Sequence, residues 1–78
     1  MAKGTIRRLL VHRGVGFIRS EDGRDVFFHR SEVLHVPFGA LWEGQAVEFM
    51  VVETPQGPKA HGVRVTLEST PLPLQASQ

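Results

Sequence analysis

Cysteine is absent from the 78 residues. No disulfide can brace the fold, and the chain fits a reducing compartment. Long apolar runs are missing too. None approaches the roughly 18 residues of a membrane-spanning helix, so no membrane partner is expected. Met1-Ala2-Lys3-Gly4-Thr5 leads straight into strand-like sequence, with no apolar stretch and cleavage site. A signal peptide is therefore not expected, and a cytoplasmic protein is. There are no internal repeats. Catalytic sets are lacking as well. Ser20 and Ser31 lie near histidines in sequence, but no nucleophile motif surrounds them and no carboxylate cluster accompanies them. No enzyme is expected. His12, His29, His35 and His61 form no pair at i, i+4, and no carboxylate stands at ligand spacing. Neither a metal nor a cofactor is implied. The length suffices for one domain, which buries only about 60% of its unfolded surface.

What is present is charge of uneven distribution. The net charge is +1, yet residues 1–30 hold seven Lys and Arg against three Asp and Glu, while residues 31–78 hold two against five. Six of the seven N-terminal cations are Arg. A small domain polarised in this way suggests a polyanionic partner. The plainer reading is chance clustering on a solvated surface.

Strand signals dominate the rest. Thr5–Val11 is apolar and basic, and His12-Arg13-Gly14 reads as a turn. Val15–Ser20 is a second strand, and the Asp22-Gly23 pair after it is a hairpin signal. Asp25–His29 is a third. In Ala46–Glu53, the fourth, Val47, Phe49 and Val51 share a face while Glu48 points away. Pro55-Gln56-Gly57-Pro58 is a turn cluster, and the fifth strand runs from Lys59 to Leu67. The connection from Arg30 to Gln45 is long enough to suggest a function. Within it Ser31 is a candidate cap for one helical turn through Leu34. Trp42 lies outside every motif; it is either a replacement stacking platform near Phe38 or an anchor of this loop on the barrel, and the anchor is the favoured reading. Residues 69–78 have no periodicity and are expected to be a disordered tail. The expected domain is 1–68. Five short antiparallel strands leave edges exposed unless the sheet closes, so an all-β, five-stranded Greek-key barrel is the economical fold.

The hairpin of the second and third strands carries the most information. Period-2 alternation admits two registers. With Gly16, Ile18, Val26 and Phe28 inward, Val15, Phe17, Arg19, Asp25, Phe27 and His29 face out. Placing Gly16 inside and charged Asp25 outside favours this register. Phe17, Phe27 and His29 then form an exposed set of rings flanked by Arg. Exposing a Phe forgoes roughly 1.5–3 kcal/mol of burial. A partner with flat π faces offsets that loss, since a base stacked on a ring is worth about 1–3 kcal/mol. Gly14 and Gly16 beside the rings are expected to keep the surface low.

Gly14-Val15-Gly16-Phe17-Ile18 and Asp25-Val26-Phe27-Phe28-His29-Arg30-Ser31 resemble the two ribonucleoprotein motifs of the bacterial cold-shock proteins. The resemblance extends to Gly4-Thr5-Ile6, Glu21-Asp22-Gly23, Glu43–Phe49 and Gly57-Pro58-Lys59-Ala60, in register from about residue 4 to residue 67. Any one motif is weak; the ordered set is strong. The resemblance implies a barrel of the OB-fold, cold-shock-domain type. It implies binding of single-stranded RNA and DNA, with a pyrimidine preference, as an RNA chaperone or regulator of transcription or translation. Phe17, Phe27, His29 and Phe38 match the family's base-stacking positions, and Arg7, Arg13 and Lys59 fall near positions that supply basic or polar contacts. Three stacking positions are changed. The family's basic-Trp-Phe-Asn run is Arg7-Arg8-Leu9-Leu10 here, and its aromatics are replaced by Val15 and Arg30. Arg8 and Arg30 can stack a planar guanidinium and attract phosphate; Val15 can do neither.

The expected function is therefore non-enzymatic binding of single-stranded nucleic acid by a monomer. Arg7, Arg8, Arg13, Arg30 and Lys59 attract the backbone, while Phe17, Phe27, His29 and Phe38 stack bases. The rival is a protein-interaction module that kept the barrel and weakened its nucleic-acid platform.

Overall fold

The computed structural model describes residues 1–66. Leu67, Glu68 and the expected tail lie outside the described residues. Five strands form: β1 (Ala2–Leu10), β2 (Val15–Ser20), β3 (Asp25–His29), β4 (Ala46–Thr54) and β5 (Gly57–Val65). Short 3-10 turns occupy Val11–Arg13, Arg30–Glu32 and Phe38–Ala40. The strands close into a barrel in the order β1-β2-β3-β5-β4. Among the described residues no helix is long and apolar enough to cross a membrane.

Tight turns make β1, β2 and β3 an antiparallel meander. The connection after β3 then crosses to bring β4 beside β1, where Thr5 pairs with Ala46. The β4–β5 hairpin folds back, and β5 meets β3 at Phe27 and Lys59 in parallel. An odd number of strands cannot alternate direction all the way round a ring. One seam of a closed five-stranded barrel must run parallel, and it falls between β3 and β5.

The interior is filled by inward positions of every strand. Ile6, Ile18, Val26, Phe28, Val47, Phe49, Ala60 and Val63 are buried, and Leu41 reaches in from the connection. β2 and β3 adopt the expected register, with Ile18 opposite Val26 and Phe17 opposite Phe27. Gly16 is buried opposite Phe28. A Cβ there would lie 2.7 Å from the Phe28 ring and 2.9 Å from the Arg8 carbonyl oxygen. Its missing side chain thus makes room inside the barrel rather than lowering the outer surface. Gly16→Ala is expected to lower stability by about 1–3 kcal/mol through overpacking. Urea unfolding checks this, and an unchanged midpoint would show that Phe28 gives way freely.

Two local expectations change. Trp42 is not the anchor of the long connection. Trp42 is 55% exposed, whereas Leu41 is 8% exposed and sits in the core. The aliphatic neighbour fits the barrel wall, and the indole is left outside. The turn after β3 spans Arg30–Glu32, and its cap is His29 rather than Ser31. His29 Nδ1 accepts the Ser31 backbone N–H at 3.1 Å. The ring is two residues before that amide, the spacing at which a side chain reaches a first-turn donor.

Candidate nucleic-acid interface

A bulge in β1 sets up the outer face. Ile6 pairs with Ile18 and Arg8 with Phe17, so two β1 residues span one step of β2. Regular alternation would send Arg7 out and Arg8 inward. The extra residue re-aims the strand, and both arginines are exposed.

The registers then align one transverse row across four strands. Arg8 stands opposite Phe17, Phe17 opposite Phe27, and Phe27 opposite Lys59. Cation, ring, ring and cation follow one another from β1 to β5. The Phe17 and Phe27 rings meet edge to face, with centroids 5.7 Å apart and an interplanar angle of 69°. Lys59 Nζ lies 5.7 Å from the Phe27 centroid, within cation–π range. A cleft of about 310 Å³ lies between these rings and Gln56, Pro58 and Lys59. A second, of about 560 Å³, lies on the other flank between Arg7, Arg8, Phe17 and Asp25.

Parallel rows border this one. Leu10, Val15 and His29 form the next on one side. The His29 ring is oriented by its cap, and Ser31 Oγ lies 3.0 Å from the same Nδ1. With Nδ1 accepting a backbone N–H, the neutral ring carries its proton on Nε2. On the other side Thr5, Arg19 and Asp25 form a row closed by an ion pair. Arg19 Nε donates to Asp25 Oδ1 at 2.7 Å. That hydrogen bond holds the Asp25 carboxyl below its usual range, helped by the Arg19 charge and, more distantly, Arg7.

Ion pairing divides the cations into two sets. Of the nine Lys and Arg, Lys3, Arg19, Arg24 and Arg64 each have a carboxylate within 4.0 Å. Arg7, Arg8, Arg13, Arg30 and Lys59 make no ion pair among the described residues. These five border the ring-bearing face. Arg13 sits on the β1–β2 turn. The Arg30 stem lies over Gly14, where a Cβ would come within 2.9 Å of it, and the Arg30 amide donates to the Gly14 carbonyl at 2.8 Å. Gly14 is left-handed, with φ of 67°. The turn thus needs glycine twice over, for its backbone and for the arginine laid across it.

Phe38 stands apart from the rows. It lies on its own 3-10 turn, partly buried, with its ring 6.0 Å from Phe28. It is attached to the core and offers only its remaining surface. Gln56 and Pro58 join the row through the cleft, although the sequence marks them only as turn residues. A further depression of about 430 Å³ involves Lys3, Thr5, Arg19 and Ala46. It holds no ring, and its two cations are already paired, so it lacks the chemistry of the first face.

Comparison with known proteins agrees with the architecture. The family model described as the "'Cold-shock' DNA-binding domain" matches residues 2–66. The chain is 46% identical over 65 residues to "Probable cold shock protein A" of Mycolicibacterium smegmatis, across 82% of this chain and 97% of that relative. It is 44% identical over 63 residues to "Cold shock protein CspA" of Staphylococcus aureus, across 81% and 96% respectively. The solved structure "drosophila Unr CSD456" superposes with a TM-score of 0.64 at 29% identity, over 99% of this chain. The chain spans 29% of the length of that structure. With a closed five-stranded barrel and a family match across nearly every described residue, the chain belongs to the cold-shock domain family.

Proposed function

We propose that the chain binds single-stranded RNA and DNA on the outer face of β1, β2, β3 and β5. It acts without catalysis, as a cytoplasmic monomer, in the manner of an RNA chaperone or a regulator of transcription or translation. The observation that carries this reading is the Arg8–Phe17–Phe27–Lys59 row, whose two cations, like Arg7, Arg13 and Arg30 around it, make no ion pair among the described residues. Bases are exposed only in single strands, and the rings offer them stacking surfaces worth about 1–3 kcal/mol each. The unpaired cations meet the phosphates. His29 and Phe38 extend the stacking surface, and Arg7, Arg13 and Arg30 frame it. Pyrimidine-rich strands are the preferred partners. Unwinding is passive: binding the open form shifts the equilibrium by mass action.

The test is a titration of end-labelled oligo-dT and oligo-U at low and moderate salt, read by anisotropy. Saturable binding that weakens with salt supports the reading. Absence of binding at low salt overturns it and leaves a protein-interaction role for the barrel.

A further inference from the structure

Trp42 is held in the open. The residue is 55% exposed, although Leu41 beside it is in the core. The Trp42 backbone is nevertheless tied to Gln45 by two hydrogen bonds. The Trp42 amide donates to Gln45 Oε1 at 3.2 Å, and the Gln45 amide returns to the Trp42 carbonyl at 3.3 Å. Gln45 itself is 4% exposed. The turn is bonded to β1 on both sides of the bulge. Gly44 donates to the Ile6 carbonyl at 2.6 Å, Ile6 donates to the Gln45 carbonyl at 2.9 Å, and the Leu9 amide donates to Glu43 Oε2 at 3.4 Å.

These bonds place residues 42–45 along the free side of β1. Pairing of β1 with β4 ends at Thr5 and Ala46. Beyond that point β4 no longer covers β1, and the turn takes its place. Following the face from β5 through β3 and β2 to β1, the row ends at Arg8, and the next segment across is the turn that bears Trp42. Glu43 is the acidic group of that turn, and its carboxylate is engaged by the Leu9 amide. Arg7 and Arg8, on the adjoining stretch of β1, make no ion pair among the described residues.

We propose that Trp42 is an additional base-stacking position, which extends the nucleic-acid site past β1 by about one nucleotide. This rests on the nucleic-acid reading above. An indole this exposed forgoes burial that a flat partner restores, and a π face on a rigid support loses little freedom on binding. Arg7 and Arg8 on the stretch of β1 that the turn lies along draw in a strand that has already crossed the row. Neighbouring strands lie about 4.8 Å apart, so the step from β1 to the turn is of the order of one nucleotide spacing.

Trp42 is the sole tryptophan, and tyrosine is absent, so intrinsic emission reports on this residue alone. Oligo-dT of about 4 and about 8 nucleotides brackets the smaller site sizes of a single OB fold. Binding is followed independently by anisotropy of an end label. The longer oligonucleotide is expected to quench Trp42 emission on saturation, and the shorter to bind with little quenching. Trp42→Ala is expected to lose about tenfold in affinity for the longer strand, about 1.4 kcal/mol, and less than about twofold for the shorter. Trp42→Phe should restore most of that loss. The melting temperature of Trp42→Ala should stay near wild type, because Leu41 anchors the loop. If both lengths bind without quenching, or Trp42→Ala binds both as wild type does, the extension is wrong while the nucleic-acid reading stands; an indole that serves a protein contact gives this result. An equal loss at both lengths also overturns the extension. If neither oligonucleotide binds, both proposals fall together.

Discussion

Phe28→Ala is expected to remove about 3–5 kcal/mol of folding stability, while Phe27→Ala, one residue earlier, leaves the barrel folded and weakens oligonucleotide binding. The two rings sit on opposite faces of β3. Phe28 is 1% exposed, packed against Gly16 and tilted against Phe38. Truncating it opens a cavity that a closed barrel cannot collapse. A domain of this size has about 4–12 kcal/mol in all, so the variant sits near the edge of folding. Phe27 faces out between Phe17 and Lys59. Its removal loses one stacking surface, about 1–3 kcal/mol of binding. It also loses an edge-to-face ring pair, about 0.5–1.5 kcal/mol of stability. Urea midpoints and labelled oligo-dT titrations, measured on both variants, separate the two effects. If Phe27→Ala unfolds as readily as Phe28→Ala, the outer ring is part of the core. If Phe27→Ala binds as wild type does, the row is not the platform.

The closed five-stranded barrel and the face of each β2 and β3 side chain were legible in the sequence, for physical reasons. A charged Asp25 cannot be buried unpaired in a small core, and Gly16 cannot be useful outside. Together they settle which of two period-2 registers holds. The five-strand count forces closure, since an open sheet of this size would expose both edges. What alternation could not reveal was the β1 bulge. Strict period 2 puts Arg7 and Arg8 on opposite faces, and only the pairing of Ile6 with Ile18 and Arg8 with Phe17 shows both outside. The parallel seam was hidden for a similar reason. It follows from the ring of strands, not from any residue in it, and it brings Lys59 to Phe27 across a gap of 32 positions. Of the two readings of Trp42, the favoured loop anchor fails, since the residue stays exposed. The barrel wall at that point had room for Leu41, and adjacent residues on a turn cannot both point in. His29 was visible as a ring, but its capping of the Arg30–Glu32 turn depends on backbone geometry that a string of residue types does not contain.

Salt is expected to weaken binding steeply, because the unpaired cations outnumber the rings in the central row. Each phosphate neutralised on a single strand contributes about −0.7 to the slope of log Kobs against log salt concentration. Arg7, Arg8, Arg13, Arg30 and Lys59 make no ion pair among the described residues, so their charge is available to the strand. If three to five of them engage phosphates, the slope is about −2 to −3.5. Between about 50 and 200 mM salt the affinity then falls by about 15- to 130-fold. An arginine that stacks its guanidinium on a base leaves a phosphate without its cation, which moves the slope toward the shallow end. Lys3, Arg19, Arg24 and Arg64 should contribute little, since each would have to exchange a carboxylate for a phosphate. Replacing Arg8 and Arg30 together by aromatics removes two of the five free cations and adds two rings. The slope should flatten by up to about 1.4, and pyrimidine preference should sharpen. Arg24→Gln, at a paired site, is the control and should leave the slope unchanged. A wild-type slope near zero, or an aromatic double variant with the wild-type slope, would show that stacking and not charge carries the affinity of this face.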